Sequence, residues 1–188
     1  MTAARCRYEL LERIAIIEAM ATPQSRPTYD IYGRTLAARS FDETFATSSE
    51  PALWQFAKSS GVAAGSNFSD CARRAAAELT ERDQLLRHWY ENQSPRHLSP
   101  ECVKPLSFLS EKYELSAHLF AETPFVVTAI FGFPKSAELP LIFGFSAADS
   151  LAQSVIKSTT EFLQRLAFLY GEPLPTASPE IAPDRKSV

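Results

Sequence analysis

The chain changes character near Glu114, and this change constrains the fold more than any other feature of the sequence. Before it, long stretches place apolar residues at helical spacing. After it come short runs rich in β-branched and aromatic residues, which predict strands at 115–121, 125–132 and 139–145. A long helical pattern at 146–170 follows. The order predicts an α+β fold, with a mostly antiparallel sheet packed against long helices.

Elements are also predicted in the first part of the chain. They are helices at 3–20, 51–58, 68–91 and 99–112 and a short strand at 29–35. Asn67 or Ser69 is expected to cap the helix at 68–91, since both side chains can accept a hydrogen bond from a free backbone N–H.

The length fits one domain, because domains commonly span about 100–200 residues. We expect this domain to occupy residues 1–171. Residues 172–188 are rich in proline and have no apolar period, so they are predicted to be a disordered tail.

Composition excludes several classes of protein. Apolar residues make up 45% of the chain, and the net charge is −3 without a clustered basic segment, so no nucleic-acid partner is expected. No apolar run reaches the roughly 18 residues that a membrane helix needs. The N-terminus mixes charges among its apolar residues, unlike a signal peptide. These features predict a cytoplasmic protein without membrane contact.

A five-residue pattern, E-x-x-E-R, occurs twice, each time on a predicted helix. The residues are Glu9, Glu12 and Arg13 in the first copy and Glu78, Glu81 and Arg82 in the second. A near copy, with Glu161, Gln164 and Arg165, lies on the last predicted helix. Such repetition is not expected from a shuffled chain of this composition.

Carboxylates three residues apart lie on one face of a helix, about 5–6 Å apart at Cβ, and repel each other. If acidic faces of two or three helices converge, they form a hard-oxygen site suited to Mg²⁺, which is commonly held by one or two carboxylates and by substrate phosphates. The alternative is that these strings are solvated helix faces with local ion pairs. The residues alone leave both interpretations open.

Other chemistry-bearing residues lack a typical motif. His88, His97 and His118 do not show the spacing of a helical metal site. Arg73 and Arg74 are expected to be solvated or ion-paired.

The residues from Ser59 to Ser66, followed by the helix with Glu78, Glu81, Arg82 and Asp83, resemble the YcaO domain family. That family combines a small-residue segment of the type S-x-G-x-A-x-G with an E-x-x-E-R-D helix. The string at Glu9 is similar to an earlier family element, and the residues from Phe125 through Gln164 are similar to its later strands and helix.

The resemblance implies ATP and Mg²⁺ as cofactors. It implies magnesium and phosphate binding by Glu9, Glu12, Glu78 and Glu81, with Arg82 and Arg13 facing phosphate charge. It also implies that Ser154, Glu161 and Gln164 complete the nucleotide site. It assigns no catalytic residue.

The implied activity is ATP-dependent activation of a peptide backbone amide oxygen. A neighbouring Cys, Ser or Thr then attacks, and the oxygen leaves with phosphate to give an azoline, the precursor of thiazole or oxazole rings; other members make thioamides or amidines. The implied partners are a precursor peptide or protein substrate and a partner subunit or second copy.

Two alternatives stay open. This chain is shorter than usual family domains, and it has Arg5 where the family's first motif carries Ser. A non-catalytic, truncated YcaO-like scaffold that binds a precursor peptide or a partner subunit fits these departures. The other alternative is an unrelated α+β binding domain, which diverging glutamate faces would favour.

Overall fold

A computed structural model describes residues 3–21, 25–30, 32–39 and 60–171. The described residues group into two compact units, one within residues 1–93 and one within residues 94–188. The predicted helix at 51–58 and the predicted tail at 172–188 lie outside the described residues. Within the described ranges, no helix has both the length and the apolar character needed to cross a membrane.

The first unit contains helix α1 (Ala3–Ala21), strands β1 (Arg26–Tyr29) and β2 (Thr35–Arg39), and helix α2 (Phe68–Tyr90). Both predicted long helices are confirmed to within a residue or two. Asn67 is the N-cap of α2, because its side chain accepts a hydrogen bond from the amide of Asp70 at 2.9 Å. The cap satisfies one of the amides that a helix start leaves without a partner.

The single strand predicted at 29–35 is wrong, since β1 ends at Tyr29, β2 begins at Thr35, and Asp30, Gly33 and Arg34 take part in the turn between them. The carboxylate of Asp30 accepts hydrogen bonds from the amides of Tyr32 and Arg34, both at 2.9 Å, and Gly33 has a φ of +80°. An aspartate that bonds to backbone ahead of it stabilises a turn in place of a strand.

The second unit is an antiparallel sheet with a covering helix. Its elements are β3 (Arg96–His97), a 3-10 helix (Pro100–Leu109), β4 (Tyr113–Ala121), β5 (Val126–Pro134), β6 (Ile142–Ala148) and helix α3 (Leu151–Gly171). The strands lie in the order β3-β4-β5-β6, and each is antiparallel to its neighbour. The predicted α+β fold with an antiparallel sheet is confirmed.

Two predicted helices differ from the structure. The segment predicted at 99–112 is a 3-10 helix, and Pro105 lies inside it. Proline has no N–H and its ring crowds the preceding turn, which disfavours a continuous α-helix. The last helix begins at Leu151 and not at Ser146, because Ser146–Ala148 extend β6 and pair with β5.

The core of the second unit lies between the sheet and α3. Phe162 of α3 packs with Tyr113 and Ile130 of the sheet and with Leu106 of the 3-10 helix, and these four side chains are at most 1% exposed. Gly144 permits this packing, since a Cβ there would overlap the backbone of α3 at Ser158 and Phe162. The absence of a side chain at this position therefore sets the distance between helix and sheet.

Candidate functional site in the first unit

The two E-x-x-E-R strings lie on α1 and α2. The structure brings Glu12 and Glu78 near enough for the charge of Glu12 to raise the pKa of Glu78. The acidic faces of α1 and α2 therefore converge at these residues. Diverging glutamate faces would have favoured an unrelated binding domain, and the faces of α1 and α2 do not diverge here.

A loop of small residues connects the two glutamates. The amide of Ala64 donates a 2.9 Å hydrogen bond to Oε1 of Glu12, and the backbone of Gly61 hydrogen-bonds to the carboxylate of Glu78. Gly61 has a φ of +78°, and a Cβ there would lie 2.8 Å from side-chain atoms of Leu79. Glycine is required here because L side chains rarely adopt this backbone conformation.

The pKa of Glu78 is raised above its ordinary value, chiefly because burial disfavours the charged carboxylate. Arg82 opposes the shift most strongly, and the Gly61 backbone and Arg13 oppose it further, whereas the negative charge of Glu12 adds to it. A cation bound beside this carboxylate would relieve both unfavourable contributions. The electrostatics of the pair therefore favour a positively charged ligand.

Arg82 lies between the two carboxylates of its own string. Its guanidinium nitrogens are 3.9 Å from Oε1 of Glu78 and 3.9 Å from Oε1 of Glu81. Both separations exceed hydrogen-bond length, so the positive charge of Arg82 is shared between the two carboxylates. Glu81 is the most buried carboxylate of the four, at 9% exposure, while Glu9 is exposed.

The remaining predicted residues belong to α3 of the second unit. Glu161 and Gln164 are half-buried and lie one turn apart. Arg165 forms a 3.2 Å ion pair with Glu161, and its guanidinium lies 3.9 Å from the ring centroid of Phe143. The near copy of the string thus has its own internal ion pair.

Ser154 is fully buried between α3 and the sheet. Its hydroxyl donates to the carbonyl of Ser146 at 2.9 Å and lies 2.8 Å from the hydroxyl of Thr128, which is 3.2 Å from that of Ser158. These bonds satisfy polar groups that would be costly to bury alone. The structure gives Ser154 a packing role, and its predicted contact with nucleotide stays a prediction.

The carboxylates fit a magnesium ion by donor chemistry. Among the described residues, no three His, Cys, Asp or Glu side chains form a ready metal cluster. Magnesium does not need one, because it usually keeps several waters and binds one or two carboxylates together with substrate phosphates. Glu12 and Glu78 supply that number from two helices. Each carboxylate also has a second oxygen beside the one that a backbone amide engages.

Two residues of this region were missed by sequence analysis. Nothing in the sequence singled out Tyr8, and Arg74 was expected to be solvated or ion-paired. In the structure, Arg74 donates a hydrogen bond to the carbonyl of Ala64, and its guanidinium lies 5.3 Å from the ring centroid of Tyr8. The available signal was spacing, since each residue precedes a glutamate of the pair by four positions.

Comparison with known proteins identifies the fold and the family. The sequence model of the YcaO family, described as a cyclodehydratase that binds ATP and Mg²⁺, matches residues 41–186. The match covers more than three quarters of the chain and includes Glu78, Glu81 and Arg82, whereas α1 precedes it. No curated protein sequence matches the chain.

Solved structures share the fold. The chain is similar to the E. coli microcin synthetase McbBCD complex with pro-MccB17 bound, at 20% identity and a TM-score of 0.50, covering 60% of this chain and 32% of that one. It is also similar to YcaO from Methanopyrus kandleri bound with AMPPCP and Mg²⁺, at 20% identity and a TM-score of 0.55, covering 70% and 37%.

The fold and the family match thus place the chain in a class of proteins described as binding ATP and Mg²⁺. The chain belongs to the YcaO family. It spans about a third of the length of the two structures to which it is similar.

Proposed function

We propose that this chain takes part in Mg²⁺- and ATP-dependent activation of peptide backbone amides, as in azoline or thioamide formation on ribosomal peptides. Membership of the YcaO family supports the reaction class. The observation that carries the proposal is the approach of Glu12 and Glu78 from two helices, with a raised pKa at Glu78. Two facing carboxylates in a partly desolvated setting are a suitable place for a divalent cation.

Residues of the first unit would share the binding of Mg·ATP. Glu12 and Glu78 would hold the metal, with Glu9 and Glu81 contributing oxygens around them. Arg82 and Arg13 would face the phosphates, because their charges already act on Glu78. The bound metal would neutralise phosphate charge during phosphoryl transfer.

The family resemblance supports Glu161 and Gln164 as further nucleotide-binding residues, since a half-buried amide can both donate to and accept from ribose or base. The place of Ser154 in this site is proposed on family resemblance alone.

The reaction needs little covalent chemistry from the protein. The amide oxygen of the peptide takes the γ-phosphoryl group of ATP, and ADP leaves. A neighbouring Cys, Ser or Thr side chain would add to the amide carbon and give up its S–H or O–H proton to solvent. The C–O bond would then break as phosphate leaves, and loss of the amide N–H proton would form the C=N bond of the azoline. Catalysis of such a transfer depends on positioning and on neutralisation of charge.

A calorimetric titration tests the proposal. Protein is titrated with ATP in the presence and absence of Mg²⁺, for the parent chain, Glu78→Gln and Glu81→Gln. We expect magnesium-dependent binding in the parent and at least a tenfold loss in Glu78→Gln, because the amide cannot neutralise the cation.

Glu101→Gln is the matched control, since Glu101 is an exposed carboxylate paired with Lys104 at 3.2 Å, on the 3-10 helix of the second unit. It should bind as the parent does. A folded parent that binds no ATP at millimolar concentration would contradict the proposal and favour the non-catalytic scaffold. If the parent does bind ATP, the next measurement is phosphate release that depends on added peptide.

A further inference from the structure

The loop between Gly61 and Ser66 is held by side chains from both helices of the first unit. Its amide at Ala64 donates to Glu12 of α1, and its carbonyl at Ala64 accepts from Arg74 of α2. These two groups belong to the peptide units on either side of one Cα. Neither peptide unit can rotate without losing a hydrogen bond.

From this geometry we propose that Arg74 and Tyr8 are positioning residues, which fix the Ala64 loop and through it the orientation of the Glu12 carboxylate. The inference rests on the proposed function, in which Glu12 is a magnesium ligand. With Oε1 of Glu12 engaged by the Ala64 amide, Oε2 is the oxygen that remains to bind the cation.

Tyr8 and Arg74 form one of two successive pairs along α1 and α2. Tyr8 precedes Glu12 by four residues, and Arg74 precedes Glu78 by four residues. The guanidinium of Arg74 lies 5.3 Å from the Tyr8 ring, and one turn further along each helix the two glutamates act on each other. A cation over an aromatic face is attracted to it, so Arg74 and Tyr8 stabilise the approach of α1 to α2. This attraction opposes the repulsion between Glu12 and Glu78 one turn away.

Arginine suits this position better than lysine does. The guanidinium is a planar group with five donors, so it can lie over the ring of Tyr8 and donate in its own plane to the carbonyl of Ala64. A lysine can donate the hydrogen bond but presents a point charge to the ring. Arg74→Lys should therefore restore only part of what Arg74→Ala removes.

The test combines a readout without ligand and a readout with ligand. Amide hydrogen exchange at Ala64 is measured by NMR for the parent, Arg74→Ala, Arg74→Lys and Tyr8→Leu, and the affinity of each for ATP is measured with and without Mg²⁺. Arg87→Ala is the matched control, because Arg87 lies on the same helix in an exposed ion pair with Asp83 at 2.9 Å.

We expect Arg74→Ala to speed exchange at Ala64 about tenfold and to weaken magnesium-dependent ATP binding by a similar factor, with the metal-free affinity unchanged. Tyr8→Leu should act in the same direction more weakly, and Arg87→Ala should leave both values unchanged. If Arg74 had only a structural role, Arg74→Ala would lower the stability of the protein without selectively weakening magnesium-dependent ATP binding.

The two proposals fail differently. If the folded parent binds no Mg·ATP, the proposed function fails, and unchanged exchange at Ala64 in Arg74→Ala would overturn the positioning role as well. If the parent binds and Arg74→Ala binds equally well with magnesium, the positioning role is overturned while the proposed function stands. Faster exchange together with weaker magnesium-dependent binding supports both.

Discussion

The amide of Ala64 donates a 2.9 Å hydrogen bond to Oε1 of Glu12, a residue 52 positions earlier in the chain. The bond joins the small-residue loop before α2 to the acidic face of α1. It therefore links the two sequence features that carry the resemblance to the YcaO family, the repeated glutamate string and the segment of small residues.

Replacing Glu12 tests the structural importance of this bond. Glu12→Ala leaves a half-buried amide without its acceptor, and we expect the free energy of unfolding to fall by about 1–2 kcal/mol. Glu12→Gln keeps a side-chain oxygen and should lose less than half of that. Urea denaturation of both variants measures the difference. Equal losses would mean that the charge of Glu12, and not its bond to Ala64, stabilises the unit.

The raised pKa of Glu78 predicts a pH-dependent stability. An acid whose pKa is higher in the folded state holds its proton more tightly there, so stability falls as the pH rises from the ordinary value of 4.5 through the raised value. Glu78→Gln removes this penalty. Its Tm should exceed that of the parent at pH 7, by on the order of 2 °C, and the gap should close near pH 4.

Thermal denaturation at the two pH values measures the gap, with Glu101→Gln as the control on an exposed carboxylate. A gap that persists unchanged at pH 4 would show that ionisation of Glu78 is not its source.

The second unit has its own titrating group in His118. Burial lowers the pKa of His118 below its ordinary value of 6.5, and the facing ring of His97, 4.3 Å away between centroids, lowers it further. Nε2 of His118 lies 2.9 Å from the hydroxyl of Ser116, and Nδ1 has no partner among the described residues. The neutral ring is therefore the favoured form in the folded state.

A lowered pKa of a histidine reverses the direction of the pH effect. The contribution of His118 to stability is present above pH 6.5 and is lost as the pH falls through the lowered folded value, because the unfolded chain takes up the proton more readily. His118→Gln should flatten the decline in Tm between pH 7 and pH 5. His88→Gln, on α2, is the control, and a decline of the same size in His118→Gln would contradict the prediction.

Gly144 offers a steric test of how α3 packs on β6. A Cβ at this position would overlap backbone atoms of Ser158 and Phe162, which cannot move without displacing the helix. Gly144→Ala should lower the free energy of unfolding by about 2–3 kcal/mol. Gly132→Ala is the matched variant, because its Cβ would meet side-chain ring atoms and no backbone, at 3.0 Å from Phe162 and 3.4 Å from Tyr113.

Gly132→Ala should lose about 1 kcal/mol or less, since a ring can shift where a backbone cannot. Urea denaturation of the two variants compares them directly. A smaller loss in Gly144→Ala than in Gly132→Ala would show that α3 can move away from the sheet at little cost.

Local patterns were sufficient for most of the fold. The periodicity of α1 and α2, the Asn67 cap and the antiparallel strands were predicted correctly, because these features depend on nearby residues. One error concerns the type of helix, where Pro105 disfavours an α-helix at 99–112, and the others lie where a nearby polar group or a distant partner sets the bounds of a strand. The carboxylate of Asp30 stabilises a turn within the segment predicted as one strand, 29–35. Pairing with β5 keeps Ser146–Ala148 in a strand, although a helix was predicted from Ser146.

For the site, the sequence by itself determined the residue types and their spacing. It placed two carboxylates and an arginine on one helix, and a second such set on another. This pattern left a magnesium site and solvated ion pairs both open, and together with the small-residue segment before α2 it carried the resemblance to the YcaO family. Spacing along one helix is fixed by the helical repeat, so it needs no tertiary information.

Only the tertiary structure decided which glutamates meet and what holds them. The approach of Glu12 to Glu78 depends on how α1 and α2 lie beside each other. The hydrogen bond from Arg74 to the carbonyl of Ala64 depends on a loop conformation that a positive φ at Gly61 permits. The burial of Ser154 likewise depends on the contact between α3 and β6. Contacts between residues far apart in the chain are set by packing, and no local pattern specifies them.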